Sequence, residues 1–139
     1  ATTGYGNIFR GWYADTSGST LVSDQAPLTI YYIDEAIYGN KYYAHFENTL
    51  YHISASGPGQ IDVTYPGAGT AIVGSPLTIE HDFETYSTYV LEATAVYPNV
   101  FDGWFNVPTG GTALSTNDTL TVTKAFTETN GRTIYGRFS

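Results

Sequence analysis

Apolar positions along the chain fall in short runs rich in Val, Ile, Thr, Tyr and Phe, broken roughly every eight to twelve residues by clusters of Gly, Pro, Asn and Ser. This pattern predicts strands over 8–14, 27–33, 41–46, 49–56, 60–65, 76–81, 88–96, 100–106, 119–126 and 132–138, and it predicts no significant helix. The expected fold is all-β, built of short antiparallel strands and hairpins in a β-sandwich or β-grasp-like arrangement. Asn130-Gly131 supplies the positive φ values of a two-residue hairpin turn before the last strand, and Gly39-Asn40 stands at the equivalent place earlier. Gly57-Pro58-Gly59 and Tyr65-Pro66-Gly67-Ala68-Gly69 read as turns; neither Lys nor a helix start comes after them, so they are not phosphate cradles.

The strands belong to a repeat. Residues 9–46 align without a gap on 101–138, 92 positions later, with 11 identities in 38: Phe9/Phe101, Gly11/Gly103, Trp12/Trp104, Gly18/Gly110, Thr20/Thr112, Ser23/Ser115, Leu28/Leu120, Thr29/Thr121, Gly39/Gly131, Tyr43/Tyr135 and Phe46/Phe138. The lead-in matches as well, with Tyr5 on Tyr97 and Asn7 on Asn99. A fainter third echo runs through Gly69-Thr70-Ala71-Ile72 and Pro76-Leu77-Thr78-Ile79. The domain reading is therefore a first, partial β unit over 1–47 and a second, fuller unit over 48–139. On this reading the first unit lacks an opening segment, and the absence of Met places the start of the numbering after processing or inside something longer.

Composition removes several classes of function. The 139 residues are 42% hydrophobic and 16% aromatic, enough apolar surface for a folded core. With only 13% charged residues, the surface is made polar by hydroxyls instead, the composition of a β-protein. Zero Cys excludes disulfides, Cys-ligated metals and a thiol nucleophile. Five basic against thirteen acidic side chains supply no footprint for nucleic acid. No apolar run is long enough to insert in a membrane, and the N-terminus has no signal-peptide pattern.

The residues that recur carry a packing problem. In a regular strand Phe9 and Trp12 lie on opposite faces, as do Phe101 and Trp104. A bulge at Gly11 and Gly103 turns both rings of each pair toward one core, so Phe9, Gly11, Trp12, Phe101, Gly103 and Trp104 form the expected core motif. Tyr5-x-x-x-Phe9-x-Gly11-Trp12-Tyr13, a Ser/Thr/Gly-rich loop, Leu28-Thr29-Ile30 and Tyr42-Tyr43-Ala44-His45-Phe46 resemble the Gly-Trp-Tyr repeat modules of bacterial surface proteins, the internalin B-repeat and its divergent relatives, also seen on virions. In the second copy, Tyr51–Ser54 with Gly57–Ile61 resembles the module's opening hairpin, Val90–Ala95 its next strand, Phe101-Asp102-Gly103-Trp104-Phe105 its signature and Thr133–Phe138 its closing strand. The resemblance implies a small β module strung along extracellular, cell-surface or virion-surface proteins as spacer, adhesin segment or assembly piece.

Candidates for chemistry are thin. Asp34-Glu35 and the alternating Glu80, Asp82 and Glu84, which would share a strand face, read as solvated acidic surface rather than a catalytic pair. No calcium-loop pattern is present. His45, His52 and His81 carry no ligand spacing, and His45 aligns with Arg137, which fits an exposed polar position. No nucleophile elbow occurs, while Asn117-Asp118-Thr119 fits an N-glycosylation site in a surface loop. Tyr31, Tyr32, Tyr38, Tyr42 and Tyr43 crowd the first copy alone, a candidate protein interface or glycan platform. The functional expectation is a non-enzymatic structural protein without cofactor or metal, part of an extracellular filament, surface adhesin or virion fibre. Its partners would be further copies of itself in a homopolymer or neighbouring subunits, with a carbohydrate-binding module as the alternative.

Overall fold

A computed structural model describes residues 6–25, 41–64, 69–72 and 74–139, in two compact units, 1–49 and 50–139. The fold is all-β, with one short helix among the described residues. The predicted strand 27–33 and the Gly39-Asn40 turn lie outside the described residues.

In the first unit, β1 (Asn7–Tyr13) is flanked by β2 (Leu21–Ser23) and β3 (Tyr43–Asn48), both antiparallel to it. The β1–β2 loop is tightened by Asp15, which accepts hydrogen bonds from the Ser19 hydroxyl and backbone N–H. Those bonds, the Ser19 hydroxyl first, hold the exposed Asp15 carboxyl down at about 2.

The second unit is a sandwich of two four-stranded sheets. One holds β7 (Leu77–Glu80), β4 (Leu50–Ser56), β11 (Thr133–Phe138) and β9 (Phe101–Phe105), in that order. The other holds β10 (Thr119–Thr123), β8 (Thr88–Ala95), β5 (Gly59–Thr64) and β6 (Gly69–Ile72). Strict alternation supplies the core: Tyr51, Ile53 and Ala55 from β4, Ile61 and Val63 from β5, Tyr89, Leu91 and Ala93 from β8, and Ile134 and Phe138 from β11 are all buried. Trp104 is wholly buried and Phe101 packs against this cluster.

Four expectations need correction. First, 119–126 is not one strand: β10 ends at Thr123, and α1 (Lys124–Asn130) comes next. Thr123 caps it, its hydroxyl accepting from the Phe126 N–H, and Gly131 (φ +89°) terminates it. Asn130-Gly131 is thus a helix stop and not a hairpin turn, and β11 pairs with β4 and β9 rather than β10. Second, the supposed opening hairpin is a corner. Gly57-Pro58 carries the chain from β4 in one sheet to β5 in the other, and Gly57 (φ +91°) lies so close to the Phe138 carbonyl that no Cβ fits. Third, β4 and β11 run parallel, a long-range pairing that an antiparallel module does not contain. Fourth, the third echo is not a structural repeat, because β6 pairs with β5 and β7 with β4, whereas 111–115 lies against Trp104 and β10 pairs with β8.

The long repeat, in contrast, extends to register. The pairs Phe9↔Phe46, Gly11↔His45, Trp12↔Ala44 and Tyr13↔Tyr43 between β1 and β3 recur 92 positions later as Phe101↔Phe138, Gly103↔Arg137, Trp104↔Gly136 and Phe105↔Tyr135 between β9 and β11. Trp12 pairs with Ser23 as Trp104 does with Ser115. Truncating the buried indole, Trp104→Ala, should destabilise the second unit by about 3–5 kcal/mol. Trp12→Ala, at a half-buried ring, should cost less, and thermal melting of the two variants by circular dichroism measures the difference.

Candidate functional site

The recurring motif is built on a bulge. Arg10 on β1 and Asp102 on β9 are the extra residues, so one residue on the opposite strand faces two. The glycines after them take φ of +142° and +138°, a region closed to other residues without strain. Space excludes a side chain too: a Cβ on Gly103 would stand 2.8 Å from the Ser115 carbonyl oxygen, and one on Gly11 3.0 Å from that of Ser23. The extra residue shifts the alternation by one, which brings Trp to the face that Phe already occupies, and the two rings meet edge to face. Their centroids are 5.8 Å apart for Phe9 and Trp12 and 5.1 Å for Phe101 and Trp104. Each Phe also touches the Phe on the closing strand, Phe46 at 5.6 Å and Phe138 at 5.3 Å.

The outer face repeats its pairing with different chemistry. Arg10 forms an ion pair with Glu47 at 2.7 Å, and at the matching positions Ser139 donates to Asp102 at 2.7 Å. His45 stacks edge to face on Tyr13 and lies against Gly18, while Arg137 sits over the Phe105 ring and donates to the Gly110 carbonyl.

The inner face is where the copies part. Phe138 is 6% exposed, roofed by Gly57 and Gly59, whereas Phe46 is 38% exposed. Gly136 is buried under Ile61, while Ala44 at the matching position is exposed. Whereas β11 alternates buried and half-buried residues, β3 is exposed at every residue except the half-buried Glu47. The Trp104 Nε1–H donates to the Asn117 carbonyl at 2.8 Å, but Trp12 Nε1 is buried and has no acceptor among the described residues. Leu21, half exposed, and Tyr43 both pair with Tyr13 and so belong to the outer face with His45.

Of the five candidate interface tyrosines, Tyr31, Tyr32 and Tyr38 lie outside the described residues, as do Asp34 and Glu35. Tyr43 is exposed on β3 and Tyr42, just before it, is half-buried. Glu80, Asp82 and Glu84 do not share a strand face, since β7 ends at Glu80 and Asp82 closes a turn by accepting from the Glu84 N–H and the Thr85 hydroxyl. Among the described residues no group of three or more His, Asp or Glu is disposed to hold a metal. His45 and His52 are exposed, the latter within 3.1 Å of the Thr78 hydroxyl. Asn117 is exposed in the turn before β10.

His81 is a core residue that the sequence does not announce. It is buried, its Nε2 donates to the Tyr86 carbonyl at 3.0 Å, and Phe83, Tyr89 and Tyr86 surround the ring. Its residue type hides it, although it stands one residue past β7 in phase with Leu77 and Ile79 and within the predicted strand 76–81. Comparison with known proteins adds no constraint: no family model, curated protein or solved structure matches the chain.

Burial holds the His81 imidazole below its ordinary pKa of 6.5, against a raising influence from the Tyr86 carbonyl and the Asp82 charge. An unfolded chain therefore takes up a proton that the folded one resists, and stability is present above 6.5 and lost as pH falls through and below it. The urea midpoint of the second unit should fall between about pH 7 and pH 5, and His81→Phe should flatten that dependence.

Proposed function

We propose that the chain is a non-enzymatic structural protein, a repeat-module subunit or segment of an extracellular filament, surface adhesin or virion fibre, and that it acts through protein–protein contacts. The observation that carries this reading is the contrast between the two copies of one motif. The same bulge, the same edge-to-face aromatic pair and the same cross-strand register face a closed core in the second unit and an exposed apolar surface in the first. Apolar surface collected on one sheet face around aromatic anchors is the usual makeup of a protein interface. The resemblance to surface-protein repeat modules agrees with this reading and supplies the extracellular setting.

The described residues lend no comparable support to a glycan platform, which needs several exposed rings side by side; Tyr43 alone of the five tyrosines is exposed among them. Among the described residues no helix is long and apolar enough to cross a membrane.

Sedimentation velocity over a concentration series tests the reading. The chain should associate as concentration rises, and Phe46→Asp should weaken association at least tenfold, about 1.4 kcal/mol. A wild-type chain that stays monomeric throughout would remove the homopolymer reading.

A further inference from the structure

The second copy shows what lies along the edge of the closing strand. On β11 the edge away from β9 is filled by β4, running parallel, with Thr133↔His52, Ile134↔Ile53, Tyr135↔Ser54, Gly136↔Ala55 and Arg137↔Ser56 as partners. Shifted back by 92 positions, the last three β11 residues of that pairing become Tyr43, Ala44 and His45, all exposed on β3. Among the described residues β3 pairs with β1 alone and ends its sheet. The pairing that β3 does not make among the described residues is thus already built once in this chain.

We infer that β3 accepts, from a neighbouring subunit, an extended segment of β4 chemistry: a parallel strand with no Lys, Arg, Asp or Glu and with apolar residues at alternate positions, completing the sheet in the register of β4 on β11. This rests on the assembly reading above and specifies its partner. The segment would lie beside Ala44 as Ala55 lies beside Gly136, and the turn after it would reach Phe46 as the Gly57–Gly59 corner reaches Phe138. One difference restricts the occupant further. A Cβ on Gly136 would stand 2.7 Å from Ile61 Cδ1, so the end of the Ile61 side chain would have to move, whereas the first unit carries Ala44. A smaller residue in the place of Ile61, or none, fits the Ala44 methyl without that shift, so the donated segment need not continue into a second strand like β5.

The register is testable because the chain has no cysteine. Neighbouring strands lie about 4.8 Å apart, inside the roughly 4.4–6.8 Å Cα separation that a disulfide tolerates. A slip of two residues moves the partner by about 6.6 Å along the strand and puts it out of reach. The probe is a synthetic peptide of residues 48–60, ending before Ile61 and carrying Ala55→Cys, incubated under mild oxidation with the full chain carrying Ala44→Cys. A second pair, His45→Cys with peptide Ser56→Cys, covers the case in which Ala44→Cys disturbs folding, which melting against wild type reveals. Peptide carrying Ile53→Cys, on the same face but two residues away, is the register control.

The expected result is at least tenfold more cross-link with each matched pair than with the control, and suppression of Phe46-dependent association by unmodified peptide. Absent or register-independent cross-linking in a chain that still associates through Phe46 overturns the strand-acceptor proposal and leaves the assembly reading standing, as would preferential Ala44→Cys homodimers. A chain that neither associates nor cross-links overturns both.

Discussion

The two copies depend on one local constraint, the bulge at Phe-x-Gly-Trp. A strand aims alternate residues at opposite faces, so two aromatics three positions apart cannot share a core unless one residue is added between them. The chain adds Arg10 and Asp102 and then needs a residue with φ near +140° and no Cβ, which only glycine provides. With Gly11 and Gly103 in place, Phe and Trp meet edge to face and the closing strand sets a second Phe against the first. The bulge therefore does two things: it fixes the register of the closing strand, and it concentrates three rings on one face.

Three rings on one face demand a cover. Burying each large ring contributes about 1.5–3 kcal/mol, and a three-stranded sheet needs such packing to be stable by itself. The second unit meets the demand with its other sheet and the glycine corner that roofs Phe138. In the first unit the described residues present the rings without that roof. The outer faces show how freely chemistry can change where packing does not constrain it, since an ion pair between Arg10 and Glu47 becomes a hydroxyl–carboxylate bond between Ser139 and Asp102.

Much of this is legible in the sequence because it is local. Alternation marks β5, β8 and β11, and the 92-residue offset marks the motif together with its bulge. The features that escape are either too short for periodicity or set by distant residues. The seven residues of α1 make under two turns, so only its ends could announce it, and Thr123 and Gly131 read equally well as strand and hairpin. Strands β2 and β6, of three and four residues, are too short to alternate. The parallel pairing of β4 with β11 joins segments about 80 residues apart, which no turn chemistry encodes. His81 keeps the phase of Leu77 and Ile79, but its polar type conceals the ring cluster that buries it.

The position occupied by Gly136 and Ala44 carries the sharpest information about what the first sheet faces. On a surface that met only water, a change from glycine to alanine would be of no consequence to packing. In the second unit the same change crowds Ile61 and Trp104, both within about 3 Å of the added carbon, and Ile61 would have to shift. The two units thus share a register but not the same fit to a cover, because a strand placed over β3 as β5 lies over β11 would have to make room for the Ala44 methyl. Copying a closed sandwich by repetition alone would reproduce the glycine. Alanine at this site instead fits a face closed by a thinner element, one strand at the sheet's edge with nothing as large as Ile61 behind it.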